Sequence, residues 1–375
     1  MMPSVSNSIS NPWHGGIWCS CCPPLPGTRA AFAVREAAAK RAAASGKSSS
    51  KSKARARRVP AKASPRRIDV HHHIAPEVYI KAMESLGLAG ENHWQNEVYK
   101  GWSPAVAIES MDDGGTQTAI TTVTSGAAIA GHPRKVRVAR ECNEYAANLQ
   151  RDYPGRFGHF ATLPMPDVYA ALKEIEYALD VLKLDGVDIR TSYGMQYLGD
   201  AAFAPIYEEL NRRKAVVYCH PHEPRALQSP IPGVPGSAIE FCTDTTRAIA
   251  SVLFGGTAVR YPDVRFIFSH GGGTMPFIVE RFTRLAVRGA FKTMFPKGVL
   301  AELRKFYYEV AQAAHPGALS SLTRLVKVNQ ILFGTDFPYR SSREIGKGLV
   351  DYGFNEKELA AINRGNAVRL FPRLR

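Results

Sequence analysis

From Arg67 to the end of the chain, short apolar runs rich in β-branched and aromatic residues alternate with longer stretches of helical periodicity. Eight runs read as strands: RIDVHH (67–72), TAITTVT (118–124), FGHFATLP (157–164), DGVDIRT (185–191), AVVYCH (215–220), VRFIFSH (264–270), FYYEVA (306–311) and QILFGTD (330–336). Between the third and fourth lies DVYAALKEIEYALDVL, where Leu172, Ile175, Leu179 and Leu182 recur at spacings of three and four. That spacing predicts one buried helical stripe, which is core and not a cofactor site. Strands separated by amphipathic helices imply a parallel sheet with crossover connections. Eight such units in about 308 residues suit a closed (β/α)8 TIM barrel, whose active site lies at the C-terminal ends of the strands. A doubly wound open sheet is the competing architecture, but its dinucleotide fingerprint is absent. The nearest candidate, Gly271 to Gly273, has neither the spacing nor the Lys-Ser/Thr of a phosphate loop.

Charge changes the picture only at the N-terminus. The formal net charge is +15, yet residues 1–67 hold 13 Lys and Arg against a single acid, Glu36, leaving 35 bases and 32 acids in the rest. The basic character thus belongs to an extension, 1–67, and the barrel, 68–375, is nearly neutral. The extension is rich in Ala, Ser, Lys and Arg and too poor in large apolar residues to offset chain entropy, so disorder is expected. Its composition fits an organelle transit segment, a nucleic-acid-binding arm, or a solvated tail without a role. A nucleic-acid-binding function for the whole protein is disfavoured, because the body offers no basic stripe. No apolar run reaches the roughly 18 residues of a membrane span, and no continuous apolar core of a secretory signal is present. The expected location is the cytoplasm, with organelle targeting by the extension as the alternative.

Three of the six cysteines (Cys19, Cys21, Cys22) lie in the extension and three (Cys142, Cys219, Cys242) are scattered through the body. Cys19 and Cys22 form a CxxC without a second pair to complete a zinc site, and nothing suggests a disulfide framework.

Candidate chemistry gathers at strand ends. In RIDVHHHIAP, alternation places His71 and His73 on one face of the first strand and His72 on the other, where it reads as structural. The fifth strand ends in His220, the sixth in His270 and the eighth in Asp336, so four strands deliver His or Asp to the same rim. Imidazoles and a carboxylate suit a borderline divalent ion, with room left for water or substrate. The other histidines (His14, His93, His132, His159, His222, His315) show no such placement and read as ordinary hydrogen-bonded residues.

The segments IDVHHH, HPHEP, SHGGGTMPF and LFGTDFP, in this order, resemble the amidohydrolase superfamily. DTTRAIASVLFGGTAVRYPDVRFIFSHGGGTMPF is similar to the branch that holds aminocarboxymuconate-semialdehyde decarboxylase and the decarboxylases of γ-resorcylate and 6-methylsalicylate. LKEIEYALDVLKLDGVDIRTSYGMQYLGDAAFAPIYEEL looks most like the 6-methylsalicylate type. The resemblance implies a barrel of the metal-dependent hydrolase type, with His71, His73, His220 and Asp336 as metal ligands and His270 as the catalytic acid/base. Asp336 is the alternative proton shuttle. Related two-metal enzymes place a bridging Lys or Glu at the end of strand four; this chain has none there, which implies one divalent ion, zinc in most of the branch, with manganese the alternative. Strand seven carries Glu309 where the branch often has Asp, and no role is assigned to it. Lys100 and Arg288 fall near two substrate-clamping arginines, the second of which comes from a neighbouring subunit, and the family implies a homodimer or homotetramer.

The activity implied is non-oxidative decarboxylation of a small-molecule carboxylate on a hydroxylated aromatic ring or conjugated diene, without an organic cofactor. The same ligand set would serve a hydrolase of an amide, lactone or ester through a metal-activated water, and the residues alone do not separate the two.

Overall fold

The computed structural model describes residues 64–86, 101–123, 129–222, 231 and 234–375; the remaining residues, with most of the basic extension, Lys100, His14 and His93, lie outside the described residues. All eight expected strands form, as β1 (Arg67–Ile74), β2 (Thr116–Val123), β3 (Phe157–Thr162), β4 (Gly186–Arg190), β5 (Val216–His220), β6 (Arg265–Phe268), β7 (Tyr307–Glu309) and β8 (Ile331–Leu332). They pair in parallel in chain order. Closure is made by main-chain bonds between β1 and the segment after β8: Val70 N–H donates to Phe333 O at 3.0 Å, Asp336 N–H to His71 O at 2.7 Å and His73 N–H to Phe337 O at 2.8 Å. Strand pairing over the expected QILFGTD is therefore confined to Ile331 and Leu332, and residues 333–336 serve instead as the seam of the barrel.

The interior is filled in layers, as a packed barrel requires. Ile68, Val70, Ile120, Phe160, Val216, Tyr218, Ile267 and Leu332 form the inner core, closed from below by Ala367, Leu370, Phe371 and Leu374 of the C-terminal turns. A second core lies between strands and outer helices. The buried stripe of the helix after β3 sits one position off the expected one, on Ala171, Glu174, Ile175 and Ala178, with Leu179 and Leu182 only partly buried. A π-turn over Tyr177–Val181 adds a residue at the end of this helix and rotates Leu179 and Leu182 off the buried face.

One irregularity in β1 sets up the site. Asp69 pairs with Ala119 but His72 pairs with Thr121, so β1 carries one extra residue against β2. This bulge lets Ile68 and Val70 fill the inner core while His71 and His73, beyond it, also turn inward. Asp69 is left to pin the seam: Oδ1 accepts from Thr335 N–H and His71 N–H, both at 3.0 Å, and Oδ2 from the Thr335 hydroxyl at 2.6 Å.

The Gly271–Gly273 run is a short turn after β6 and not a phosphate loop. Gly273 has φ +66°, and a Cβ there would collide with the Cys242 carbonyl, so glycine lets the helix Gly236–Phe254 pack against this turn. Cys142, Cys219 and Cys242 are free thiols. Among the described residues no helix is long and apolar enough to cross a membrane.

Candidate metal centre

His71, His73, His220 and Asp336 converge so that one ligand atom from each lies within 4.8 Å of the others, and all four side chains are buried. His71 Nε2 and His73 Nε2 are 3.1 Å apart, and each is 3.0 Å from Asp336 Oδ1. His220 brings its ring to 4.9 Å from His71 and 5.0 Å from His73, centroid to centroid.

The outer hydrogen bonds fix which ring nitrogen faces the centre. Glu309 Oε1 lies 2.8 Å from His71 Nδ1, and a carboxylate oxygen only accepts, so His71 donates from Nδ1. Pro221 O lies 2.7 Å from His220 Nδ1 and fixes that ring in the same way. His73 Nδ1 is 3.0 Å from the Thr122 hydroxyl. Gln312 donates to Asp336 Oδ2 at 2.5 Å. Neutral imidazoles in this arrangement aim lone pairs from Nε2 at the Asp336 carboxylate, and His220 Nε2 is buried with no hydrogen-bond partner. A cation among these buried acceptors would satisfy them together.

The electrostatics agree. Burial lowers the His71 imidazolium, but the Asp336 and Glu309 carboxylates outweigh it and raise it to about 10. Burial takes His73 down to about 4, and His220 well below its ordinary range with Arg190 and the neighbouring imidazoles adding to the effect. Burial opposes Asp336 ionisation, yet His71 and His73 hold its carboxyl well below the usual range. The site thus stabilises a positive charge beside Asp336, which a proton on His71 supplies by itself and a divalent ion held by neutral imidazoles would supply in its place.

His270 stands beside the four, its ring 5.1 Å from His71 and 5.7 Å from His220. Its Nδ1 lies 3.1 Å from Ala311 O, and its main-chain N–H donates to Glu309 Oε1 at 2.7 Å. His270 and Asp336 both adopt left-handed backbone, φ +52° and +65°, conformations that cost non-glycine residues energy and are held here by these bonds.

His72 faces away from the centre, stacked on Phe337 at 4.4 Å. His132, His159 and His222 are engaged with Ser85, Thr121 and Ser192, and His315 precedes a helix. Arg288 is exposed, outside the buried cluster. Sequence reasoning noted Glu309 without giving it a role, yet it both orients His71 and holds the His270 main chain; an acid inside the apolar run FYYEVA was its signal. It passed over Asp188 and Arg190, whose signal was a charged pair at alternate positions of an interior strand.

Comparison with known proteins agrees with this geometry. The family described as Amidohydrolase matches residues 68–373. The chain is 38% identical over 326 residues to the decarboxylase yanB of Aspergillus niger, covering 82% of this chain and 88% of that one. It is 33% identical over 322 residues to the 6-methylsalicylic acid decarboxylase of Penicillium expansum, covering 82% and 97%. The fold superposes on the crystal structure of a dihydroxybenzoic acid decarboxylase from Polaromonas, which holds manganese and 2-nitroresorcinol, with TM-score 0.69 and 22% identity over 82% of this chain and 97% of that one. That last likeness bears on the fold alone. With the family match running from the first residues of β1 almost to the C-terminus, the chain belongs to the amidohydrolase family.

Proposed function

We propose that this protein is a metal-dependent, non-oxidative carboxy-lyase acting on a hydroxylated aromatic carboxylate. The observation that carries the reading is the convergence of His71, His73, His220 and Asp336 on one point with His270 beside them, in a chain whose curated relatives are named decarboxylases. Three imidazoles and one carboxylate fit a single zinc ion, with manganese, held by the Polaromonas enzyme, as the competitor to test against it. Such an ion, when bound, acts as a Lewis acid toward the oxygen atoms of the substrate.

Direct loss of CO₂ from a ring carbon would leave an electron pair in the ring plane, orthogonal to the π system. Protonating that carbon first makes it sp³. The bond to the carboxylate then breaks, its electron pair restores the aromatic π system, and the carboxylate departs as CO₂, so that one anion and one proton become an arene and CO₂. His270 is the donor in this reading. Its Nδ1 hydrogen is held by Ala311 O, which leaves Nε2 to carry the transferable proton and favours the tautomer that remains afterwards. Asp336 turns Oδ1 toward the proposed ion, 3.0 Å from His71 and His73 Nε2, and accepts from Gln312 through Oδ2, which makes it the weaker candidate. Lys100, and Arg288 from a neighbouring copy in a homodimer or homotetramer, are proposed to clamp the carboxylate.

The test is a CO₂-release screen over 2-hydroxybenzoates, run beside a screen for alcohol or amine release from aryl esters and amides, with metal content measured on the same samples. The expected result is CO₂ release that chelation abolishes. His270→Gln is expected to keep its metal and lose about 10²–10⁴ in kcat, whereas Asp336→Asn loses metal and turnover together. Ester or amide cleavage without CO₂ release would overturn the reading in favour of a hydrolase.

A further inference from the structure

Beside the metal centre, three neighbouring strands carry polar atoms left unsatisfied. Thr162, Asp188 and Tyr218 stand side by side in register on β3, β4 and β5, and Arg190, two residues along β4, is opposite His220. The four side chains are at most 3% exposed. Arg190 Nη2 donates to Asp188 Oδ2 at 2.8 Å and to Val123 O at 2.7 Å, so the guanidinium reaches from β4 past β3 to the end of β2. Its Nε and Nη1 have no partner, nor do Asp188 Oδ1, Thr162 Oγ1 and Tyr218 Oη. An unpaired buried polar group is costly, more so when charged, and native structures hold few. Unsatisfied atoms gathered on four adjacent residues mark a place built to receive another polar group. Its proximity to the proposed metal ligands is independent of that tally: Arg190 is paired in register with His220 on the neighbouring strand.

We propose that Arg190 and Asp188 form a specificity-determining site that takes a second ring hydroxyl of the substrate, in addition to the one beside the reacting carboxylate. The open N–H groups of Arg190 need an acceptor, and Asp188 Oδ1 needs a donor. A neutral hydroxyl is both at once. A second carboxylate would meet the Asp188 charge, and a methyl group would leave both residues unpaired in a buried site. The inference rests on the decarboxylase reading for the word substrate, but the recognition itself does not depend on turnover.

Calorimetric titration of the metal-loaded protein with resorcinol and with 3-methylphenol tests it. These are the arenes left when CO₂ is lost from 2,6-dihydroxybenzoate and from 6-methylsalicylate, and neither carries a carboxylate. The wild type is expected to bind resorcinol about tenfold more tightly or better. Removing Arg190 alone would strand a buried carboxylate, so the decisive variant is Asp188→Asn with Arg190→Met, expected to bind both arenes within about twofold of each other. Arg190→Lys, which keeps the charge with fewer directed donors, is expected to fall between. A wild type without the preference, or a double variant that keeps it, overturns the proposal and leaves Arg190 as a structural ion pair bridged by water. Should the double variant fail to fold, the wild-type ratio and Arg190→Lys decide. A preference in a protein that releases no CO₂ from any hydroxybenzoate sinks the decarboxylase reading alone; CO₂ release without the preference sinks this one alone.

Discussion

Glu309 and His71 are joined, Oε1 to Nδ1, at 2.8 Å, and neither side chain is exposed. The same oxygen accepts the His270 main-chain N–H, and Oε2 accepts that of Ala311 at 2.6 Å. One carboxylate thus orients a proposed ligand and locks the backbone of the proposed acid. Loss of an outer partner of this kind costs about 10–100-fold in metal affinity. Glu309→Ala is therefore expected to weaken metal binding by about that factor in a competition titration against a chelator, and Glu309→Gln, which still accepts, by less. Unchanged affinity in Glu309→Ala would mean that His71 is oriented by other contacts.

A second prediction concerns acid. Burial lowers His159 to about 3, far under the ordinary value for a histidine. A depressed imidazole favours the neutral, folded form: its contribution is fully present above pH 6.5, where both states are unprotonated, and is lost as pH falls toward 3, because the unfolded chain takes up the proton first. The loss amounts to about 1.4 kcal/mol per pH unit in that window. His159→Phe keeps the ring and removes the titration. Urea unfolding at pH 7 and pH 4.5 should show the variant losing less stability than the wild type over this interval; equal losses would assign the acid sensitivity to other groups.

A third concerns the seam. The two bonds that Asp69 accepts from Thr335 join β1 to the segment carrying Asp336, a third from His71 N–H stays within β1, and Asp69 is fully buried. Asp69→Ala leaves the main-chain N–H groups of Thr335 and His71 without an acceptor, the Thr335 hydroxyl keeping only His71 O at 3.3 Å, and is expected to cost about 3–5 kcal/mol. Asp69→Asn, which keeps an acceptor, should cost less. Chemical denaturation of the metal-free protein reads this directly, since it removes any contribution of metal binding to the fold. A neutral Asp69→Ala would show that the main-chain bonds at Val70 and His73 close the barrel unaided.

Local patterning along the chain made the barrel and most of the centre legible. The period of two in each strand and of three to four in the helices is a local consequence of backbone geometry, so all eight strands were legible, as was the inward pairing of His71 with His73. His220, His270 and Asp336 were legible because a parallel barrel sends every strand end to the same rim. Tertiary structure alone decided the rest. The bulge at Asp69 depends on the register of β1 against β2, and the seam along 333–337 on where the first and last strands meet. Glu309 looked like a departure from pattern until the fold placed its carboxylate against His71, and Arg190 and Asp188 gained meaning only when three strands set their unsatisfied atoms beside the metal ligands. The division has a physical reason: hydrophobic periodicity is written along the chain, whereas hydrogen-bond partnership between residues more than two hundred positions apart exists only once the core has brought them together.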